Sequence, residues 1–319
     1  MMRVDEICDR LCSLLQEAVL RNLSESLLLS GGLDTSIIAY IASQYTRLKA
    51  FTVALNTSSA PDVEYAKMVA GKLGLDHTIH LFDERDFLSV IPIVIKTLKT
   101  FDPMEIRNSA PLFIALREAK ERGTGSVMTG DGSDELFAGY SFLFNLEKSR
   151  LEDELIHMWS NMSFSSIPLG KYLNVDVKLP YLDPNLKSYV MRLDSGYKIR
   201  NEGDQIWGKW ILRKAFERMI PEAVAWRVKM PIEYGSGTNL LTGLFEKRIE
   251  DSEFEERRRR YIEDDRVIVR NKEQLYYYEI YRSAIGVPQR TRHGKSCHLC
   301  NSDVPEVTKY CKVCGAYPT

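Results

Sequence analysis

Long apolar runs are missing. A membrane-spanning helix needs about twenty consecutive apolar residues, and no window of this 319-residue sequence approaches that, so no membrane partner is expected. The first residues, MMRVDEICDRLCSLL, lack a secretory apolar core, which makes a reducing cytoplasm the expected compartment. Neither charge sign dominates. With 43 Lys and Arg against 44 Asp and Glu, the net charge of -1 excludes a whole-molecule electrostatic binder of nucleic acid and leaves only local basic surface open. Internal repeats and low-complexity tracts are absent. Histidine is sparse, and His77, His80 and His157 fall outside every motif described below, so structural roles are expected for them. What is present is a composition of 44% hydrophobic and 27% charged residues, that of a globular, enzyme-sized chain of one large domain or two.

The periodicity alternates. An amphipathic helix over 5–22 precedes a strand at 26–30 and a helix over 33–44. A strand at 48–55, a helix to 73 with Asp62 as its N-cap, and a short strand at 78–82 follow. Helices to 98 and over 110–122, then a strand at 126–129, complete the alternation, which predicts an α/β, doubly wound parallel sheet. Beyond 140 the pattern is helical, over 141–159, 204–219 and 270–285. The mixed-charge stretch 246–266, with its run Arg257–Arg260, reads as a solvated helix rather than a nucleic-acid patch. The expected division is an α/β core at 1–140, a helical region at 141–288, and a linker with a cysteine-rich tail at 289–319.

Ligands in such sheets bind where strands end and helices begin. Two strand ends carry glycine turns. The first reads Ser30-Gly31-Gly32-Leu33-Asp34-Thr35-Ser36. Glycines let backbone amides approach a ligand, the helix that starts here favours an anion, and three hydroxyls add donors, so the turn suits phosphate. It has no Walker lysine, so phosphate charge must be met by a metal and by residues elsewhere, and Asp34 suits Mg²⁺. Taken alone, a structural strand-to-helix turn is the alternative. The stretch resembles the pyrophosphate loop of the N-type ATP pyrophosphatases, whose loop holds the β- and γ-phosphates while the α-phosphate is attacked.

The second turn lies in VMTGDGSDELFAGY, residues 127–140. Asp134 and Glu135 in a helix's first turn are favourable in any protein, yet the stretch resembles the second signature of the asparagine synthetase B family's synthetase domain. Further segments resemble that domain in order: 22–40, DPMEIRNSAP at 102–111, DVKLPYLDP at 176–184, GKWILRKAF at 208–216, WRVKMPIEYGSG at 226–237 and NKEQLYYYEIYR at 271–282. The resemblance, from about 10 to 288, implies the adenine-nucleotide α-hydrolase sheet, ATP and Mg²⁺ as cofactors, and amide synthesis through an acyl-adenylate, with aspartate the default carboxylate and ammonia the nitrogen source. It implies that Ser30, Gly31, Gly32, Asp34, Thr35, Ser36 and Gly130 bind pyrophosphate, that Asp34 and Asp134 hold Mg²⁺, and that Val53 contacts adenine. Lys209 falls on the family's catalytic lysine, Asp131 on the acid that helps the nitrogen nucleophile lose its proton, and Arg227 and Lys229 on candidate phosphate ligands.

Asp176 and Lys178 depart from the family's Glu and Arg, one shorter and the other without a planar fork. As both lie near the implied acceptor pocket, with Asp176 among the catalytic candidates, they bear on the acceptor. The family's glutaminase domain begins with a nucleophilic Cys after the start Met, where Met2 and Arg3 stand here. Free ammonia, or ammonia from a separate glutamine amidotransferase subunit, is therefore expected. Other acceptors, such as a tRNA or a carrier protein, and a non-catalytic nucleotide-binding partner subunit are the alternatives.

Six cysteines divide into two groups. Cys8 and Cys12, four apart among leucines, read as buried helix residues. Cys297, Cys300, Cys311 and Cys314 form two Cys-x-x-Cys knuckles, which in a reducing compartment favour a four-thiolate Zn²⁺ ribbon over disulfides or a redox pair. Such a site is closed, so the zinc is expected to be structural, and His298 and His293 are expected to be solvent-exposed. The ribbon is too small to bury a core, so the metal must supply much of its folding free energy. Arg290, Arg292, His293 and Lys295 give it a basic approach through which, by analogy with tRNA-modifying pyrophosphate-loop enzymes, tRNA could be a partner.

Overall fold

A computed structural model describes residues 3–290, 294–306 and 308–319, so Met2, Arg292 and His293 lie outside the described residues. In chain order the helix α1 (Val4–Arg21) leads into β1 (Ser26–Leu28), α2 (Leu33–Ala42), β2 (Lys49–Leu55), α3 (Pro61–Leu73), β3 (Asp76–Phe82), α4 (Glu84–Leu98), α5 (Pro103–Glu121), β4 (Ser126–Met128) and α6 (Ser133–Phe137). Then come α7 (Lys148–Ser160), α8 (Ser166–Leu173), β5 (Asp176–Lys178), α9 (Pro184–Met191), the hairpin β6 (Ile199–Glu202) and β7 (Gln205–Gly208), and α10 (Trp210–Phe216). Five more helices follow: α11 (Glu222–Ala225), α12 (Ile232–Gly235), α13 (Thr242–Arg248), α14 (Asp251–Asp265) and α15 (Lys272–Ala284).

The main sheet has the order β3-β2-β1-β4-β5. β1 pairs in parallel with both β2 and β4, and β4 with β5; Leu27 registers with Ala50 on one side and with Met128 on the other. The order reverses between β1 and β4, which is where a doubly wound sheet opens a crevice at its carboxyl edge. The two glycine turns follow these two neighbouring strands, so the topology alone brings them side by side. Leu27, Leu29, Ala50, Val127 and Met128 are buried, as expected for strands covered on both faces.

The chain divides into two compact units. One comprises 1–52, 61–80 and 115–230, the other 53–60, 81–114 and 231–319. In the first, Leu11, Leu14 and Leu15 of α1, Ile37 and Ile38 of α2, and Ile211, Leu212 and Phe216 of α10 form one buried apolar cluster. In the second, Phe87, Ile91 and Val94 of α4 are buried, as are Tyr277 and Tyr278 of α15. There the Phe101 ring lies 5.0 Å from that of Tyr278, and the Phe245 ring 5.3 Å from that of Tyr277. Among the described residues, no helix is long and apolar enough to cross a membrane.

Three local expectations are corrected. Asp62 sits inside the first turn of α3, not at its cap. α5 begins at Pro103, seven residues before the expected start, because Asp102 caps it through the Met104 amide at 3.2 Å and the helix continues through Pro111. The stretch expected to be helical from 204 begins instead as β7, closed on β6 around Gly203 with φ +65°, and only then enters α10. The stretch 246–266 is helical at α14, as expected, and its arginines are engaged locally: Arg257 with Glu253 and Glu279, Arg258 with Glu255.

Candidate active site and metal centre

The first turn is built around Gly31. Its φ of +67° is open to glycine at little cost, and a Cβ there would overlap the backbone of Ala66 at the start of the neighbouring helix turn. Ser30 Oγ and Thr35 Oγ1 lie 3.2 Å apart, and the Gly32 amide donates to Ser30 Oγ at 3.3 Å. Ser36 Oγ donates back to the Gly32 carbonyl at 2.7 Å, so Ser36 braces the turn. The second turn presses against the first: a Cβ on Gly130 would come 3.0 Å from Asp34 Cβ. Ser133 Oγ, in the first turn of α6, donates to Asp34 Oδ1 at 2.7 Å.

Lys209 joins the two. Its Nζ lies 2.6 Å from Asp34 Oδ2 and 2.8 Å from Asp134 Oδ1, and its side chain is only 4% exposed. The residue is held in the left-handed region, φ +55°, a conformation that costs free energy in a non-glycine residue and that concentrates at functional sites. Its amide donates to the Phe137 carbonyl at 3.0 Å, which ties this turn to α6. Lys229 Nζ meets the other oxygen of Asp134 at 2.7 Å. Burial opposes charge here, but Lys209 and Lys229 outweigh it and hold the Asp134 carboxyl well below the usual range. Against the same burial, Asp134 and Asp34 hold the Lys209 ammonium above the usual lysine range.

Asp131 lies partly buried in the turn between β4 and α6. Burial pushes its carboxyl up, while Ser166 Oγ and Thr129 Oγ1, the latter at 3.0 Å, donate to the same oxygen, Oδ2. Tyr140 Oη donates to Glu135 at 2.7 Å, and Gly139 packs so closely that a Cβ would overlap Asp134 Oδ1 and Lys209 Cε. Arg227 pairs with Asp62 at 2.7 Å and stacks over the Tyr65 ring at 4.1 Å.

The first unit thus brings together Ser30, Gly31, Gly32, Asp34, Thr35, Ser36, Gly130, Asp131, Asp134, Lys209 and Lys229 around two adjoining turns. Arg227 is already engaged with Asp62, so a phosphate would have to compete for it. Val53 lies in β2, in the second unit. Asp176 is not brought in. It registers with Ser126 at the amino end of β4, its side chain is 63% exposed, and it pairs with Lys178 at 2.6 Å. Sequence reasoning missed Ser133, Thr129, Ser166 and Gly139. Thr129, Ser133 and Gly139 stand inside the second signature and were open to discovery there; Ser166, thirty-five residues beyond Asp131, carried no signal.

Two groups of ligand atoms have the chemistry of a metal site. Asp34 and Asp134 offer hard carboxylate oxygens, and among the described residues buried Asp134 Oδ1 has no hydrogen bond of good geometry, with the Lys209 ammonium 2.8 Å away. That donor set suits Mg²⁺ shared with phosphates. At the tail, the four thiols of Cys297, Cys300, Cys311 and Cys314 are buried and lie within 4.8 Å of one another. Cys297 and Cys314 sulfurs are 3.5 Å apart, Cys300 and Cys311 3.7 Å. Tetrahedral zinc with bonds of about 2.3 Å puts its sulfurs about 3.8 Å apart, whereas a disulfide needs about 2 Å. His298 is exposed, as expected. Cys8 and Cys12 are half-buried in α1, and burial pushes both thiols up to about 11.

Comparison with known proteins follows the same residues. The family described as asparagine synthase matches residues 10–174 and 172–290. A probable glutamine-hydrolysing asparagine synthetase of Dictyostelium discoideum is 30% identical over 302 residues, covering 84% of this chain and 53% of that protein. Asparagine synthetase B of Escherichia coli K12 is 31% identical over 291 residues, 82% of this chain and 50% of its own length. The chain spans about half the length of these curated relatives. Among solved structures, an ammonia-dependent NAD synthetase from Campylobacter jejuni is 18% identical over 76% of this chain and 97% of its own, with a TM-score of 0.31, a likeness too slight to carry an argument.

Proposed function

The chain belongs to the asparagine synthase family, and from that premise we propose that it makes an amide from a carboxylate, ATP and ammonia, with aspartate as the carboxylate and asparagine as the product. In the first step an oxygen of the substrate's side-chain carboxylate attacks the α-phosphorus, and pyrophosphate leaves. In the second, ammonia attacks the acyl carbon, loses a proton, and AMP leaves with the original carboxylate oxygen. Ammonia is taken free or from a separate glutamine-hydrolysing subunit.

The observation that carries this reading is the buried Lys209 ammonium spanning Asp34 and Asp134 across the two glycine turns. A fixed cation in a water-poor site stabilises charge as it develops, without reorganising at the moment of reaction. Lys209 therefore steadies the charge that builds on the departing pyrophosphate. The amides and hydroxyls of residues 30–36 cradle that pyrophosphate, and Asp34 and Asp134 would hold a Mg²⁺ that neutralises its charge. With both hydroxyl donors on Oδ2, Asp131 keeps Oδ1 for the proton that the nitrogen must lose. The four thiolates would hold a structural Zn²⁺ with no open position. Purified protein with Mg-ATP and ammonium should release pyrophosphate only when aspartate is added, with asparagine detected by mass spectrometry. Release that ignores aspartate would remove aspartate as the acceptor.

A further inference from the structure

The cysteine tail makes contacts that a freely tethered ribbon would not. All of them lie within the second unit. The Val313 carbonyl, in the second knuckle, accepts hydrogen bonds from the Phe101 amide at 2.8 Å and from Thr100 Oγ1 at 3.1 Å. The next carbonyl, Cys314, accepts from Arg270 Nη2 and from Gln274 Nε2, each at 2.8 Å. From the first knuckle, the Leu299 carbonyl accepts from the Ile268 amide at 2.7 Å. Tyr310 Oη donates to Asp102, the residue that caps α5. Gly315 has φ +74°, and a Cβ there would overlap the Asp102 carboxylate, so the knuckle approaches the cap as closely as a backbone can.

Two segments far apart in sequence, 100–102 and 268–274, thus converge on the knuckles. Phe101, Asp102, Gln274, Tyr278 and the four cysteines are all buried. Few of these bonds join side chain to side chain. Most end on knuckle carbonyls, whose directions are set by how the chain wraps around its thiolate centre. Without a metal, the four buried sulfurs have nothing to hold those carbonyls in place, because a ribbon this small cannot fold on apolar burial alone.

We propose that the four-cysteine module is a metal-dependent clamp that joins the start of α5 to the start of α15, rather than an arm that presents a partner. The clamp's effect reaches further along both helices. Arg107, one turn into α5, pairs with Glu273 of α15 at 2.6 Å and also with Glu233 of α12. Loss of metal frees the Asp102 cap of α5 and the Arg270 and Gln274 side chains at the start of α15, and with them the shared Arg107 ion pairs. This inference rests on the four-thiolate Zn²⁺ reading given above.

Hydrogen exchange of the full chain under reducing conditions tests it, with Zn²⁺ bound and after chelation. The Phe101 and Ile268 amides are the reporters, because their acceptors belong to the knuckles. Segments 100–107 and 268–275 should exchange at least about tenfold faster after chelation, a change equal to about 1.4 kcal/mol of local opening, while segment 26–42 of the first unit stays unchanged. Faster exchange confined to 297–315 would overturn the clamp. A variant, Arg270→Met, leaves every thiol in place. It should retain about one Zn²⁺ per chain and still speed exchange at 100–107; unchanged exchange there would count against the proposal. A chain that takes up no Zn²⁺ would overturn the metal site and the clamp together, whereas uptake without coupling would overturn the clamp alone.

Discussion

Replacing Lys209 with methionine keeps most of the side chain's volume and removes its charge. Among the described residues, that ammonium is the only cation within ion-pairing distance of Asp34 and one of two that pair with Asp134. The variant leaves Asp34 with the Ser133 hydroxyl and Asp134 with Lys229. Removing one partner of a buried ion pair costs about 3–5 kcal/mol, because the remaining charge is left desolvated. The expected stability loss near neutral pH is of that size, toward the lower end because Asp134 keeps one lysine. The pH dependence follows from the sign of the shift. The native Asp134 carboxyl is held below its ordinary range, so it contributes stability that is present above an unfolded value of about 3.9 and is lost as pH falls through the lower folded value. In the variant that depression is relieved. The gap between native and variant should therefore be full at pH 7 to 8 and shrink as pH falls below about 4. Thermal or denaturant unfolding at several pH values measures it, and Mg²⁺ should restore part of the loss at neutral pH. Turnover should fall by about 10²–10³, the cost of removing one preorganised electrostatic donor. A variant with native stability at pH 8, or a gap that widens toward pH 4, would refute the reasoning.

Asp131→Asn should slow amide formation while leaving carboxylate-dependent exchange of labelled pyrophosphate into ATP close to native, since the change touches only the acceptance of a proton from nitrogen; equal loss of both would place Asp131 in the first step. Because burial pushes the Asp131 carboxyl up, the native amide-forming rate should fall as pH drops through that raised value, and a pH–rate profile reads it. Gly139→Ala would drive a methyl into Asp134 and Lys209, so activity should fall by at least about a hundredfold; near-native activity would show the contact to be slack. Cys8 and Cys12, with thiols pushed up to about 11, should resist alkylation near pH 7.5 and react only as pH rises toward that value; rapid labelling at neutral pH would contradict their burial.

The parts of the site that were legible in the sequence are local ones. A glycine turn, its hydroxyls and its first-turn acid are written within seven consecutive residues, and a thiolate knuckle within four. Their meeting required only that β1 and β4 be neighbours, which alternating elements make probable without stating it. The Lys209 role came from resemblance. Its left-handed backbone was hidden, because 204–208 carries mixed polarity that suits a solvated helix face as well as the hairpin edge it forms. Asp176 stood in a matching motif, yet it is the first residue of a three-residue parallel strand and so lies at the amino edge of the sheet, away from the carboxyl edge where the crevice opens. Ser166 reaches Asp131 through tertiary packing, whereas Thr129 stands two residues before it in the same turn. The ribbon's spacing announced a metal, but nothing in 297–315 announces that its carbonyls are spoken for by Phe101, Arg270, Gln274 and Ile268. The compact units interleave along the chain, which no reading in chain order can express.

The most direct test of the central claim follows an oxygen atom. With aspartate carrying ¹⁸O in its side-chain carboxylate, ATP, Mg²⁺ and ammonium, the acyl-adenylate route transfers one labelled oxygen to AMP and none to pyrophosphate, and mass spectrometry of both products reads it. Labelled AMP formed in step with asparagine is the predicted result. Unlabelled AMP, or label in phosphate with ADP as the nucleotide product, would contradict the account.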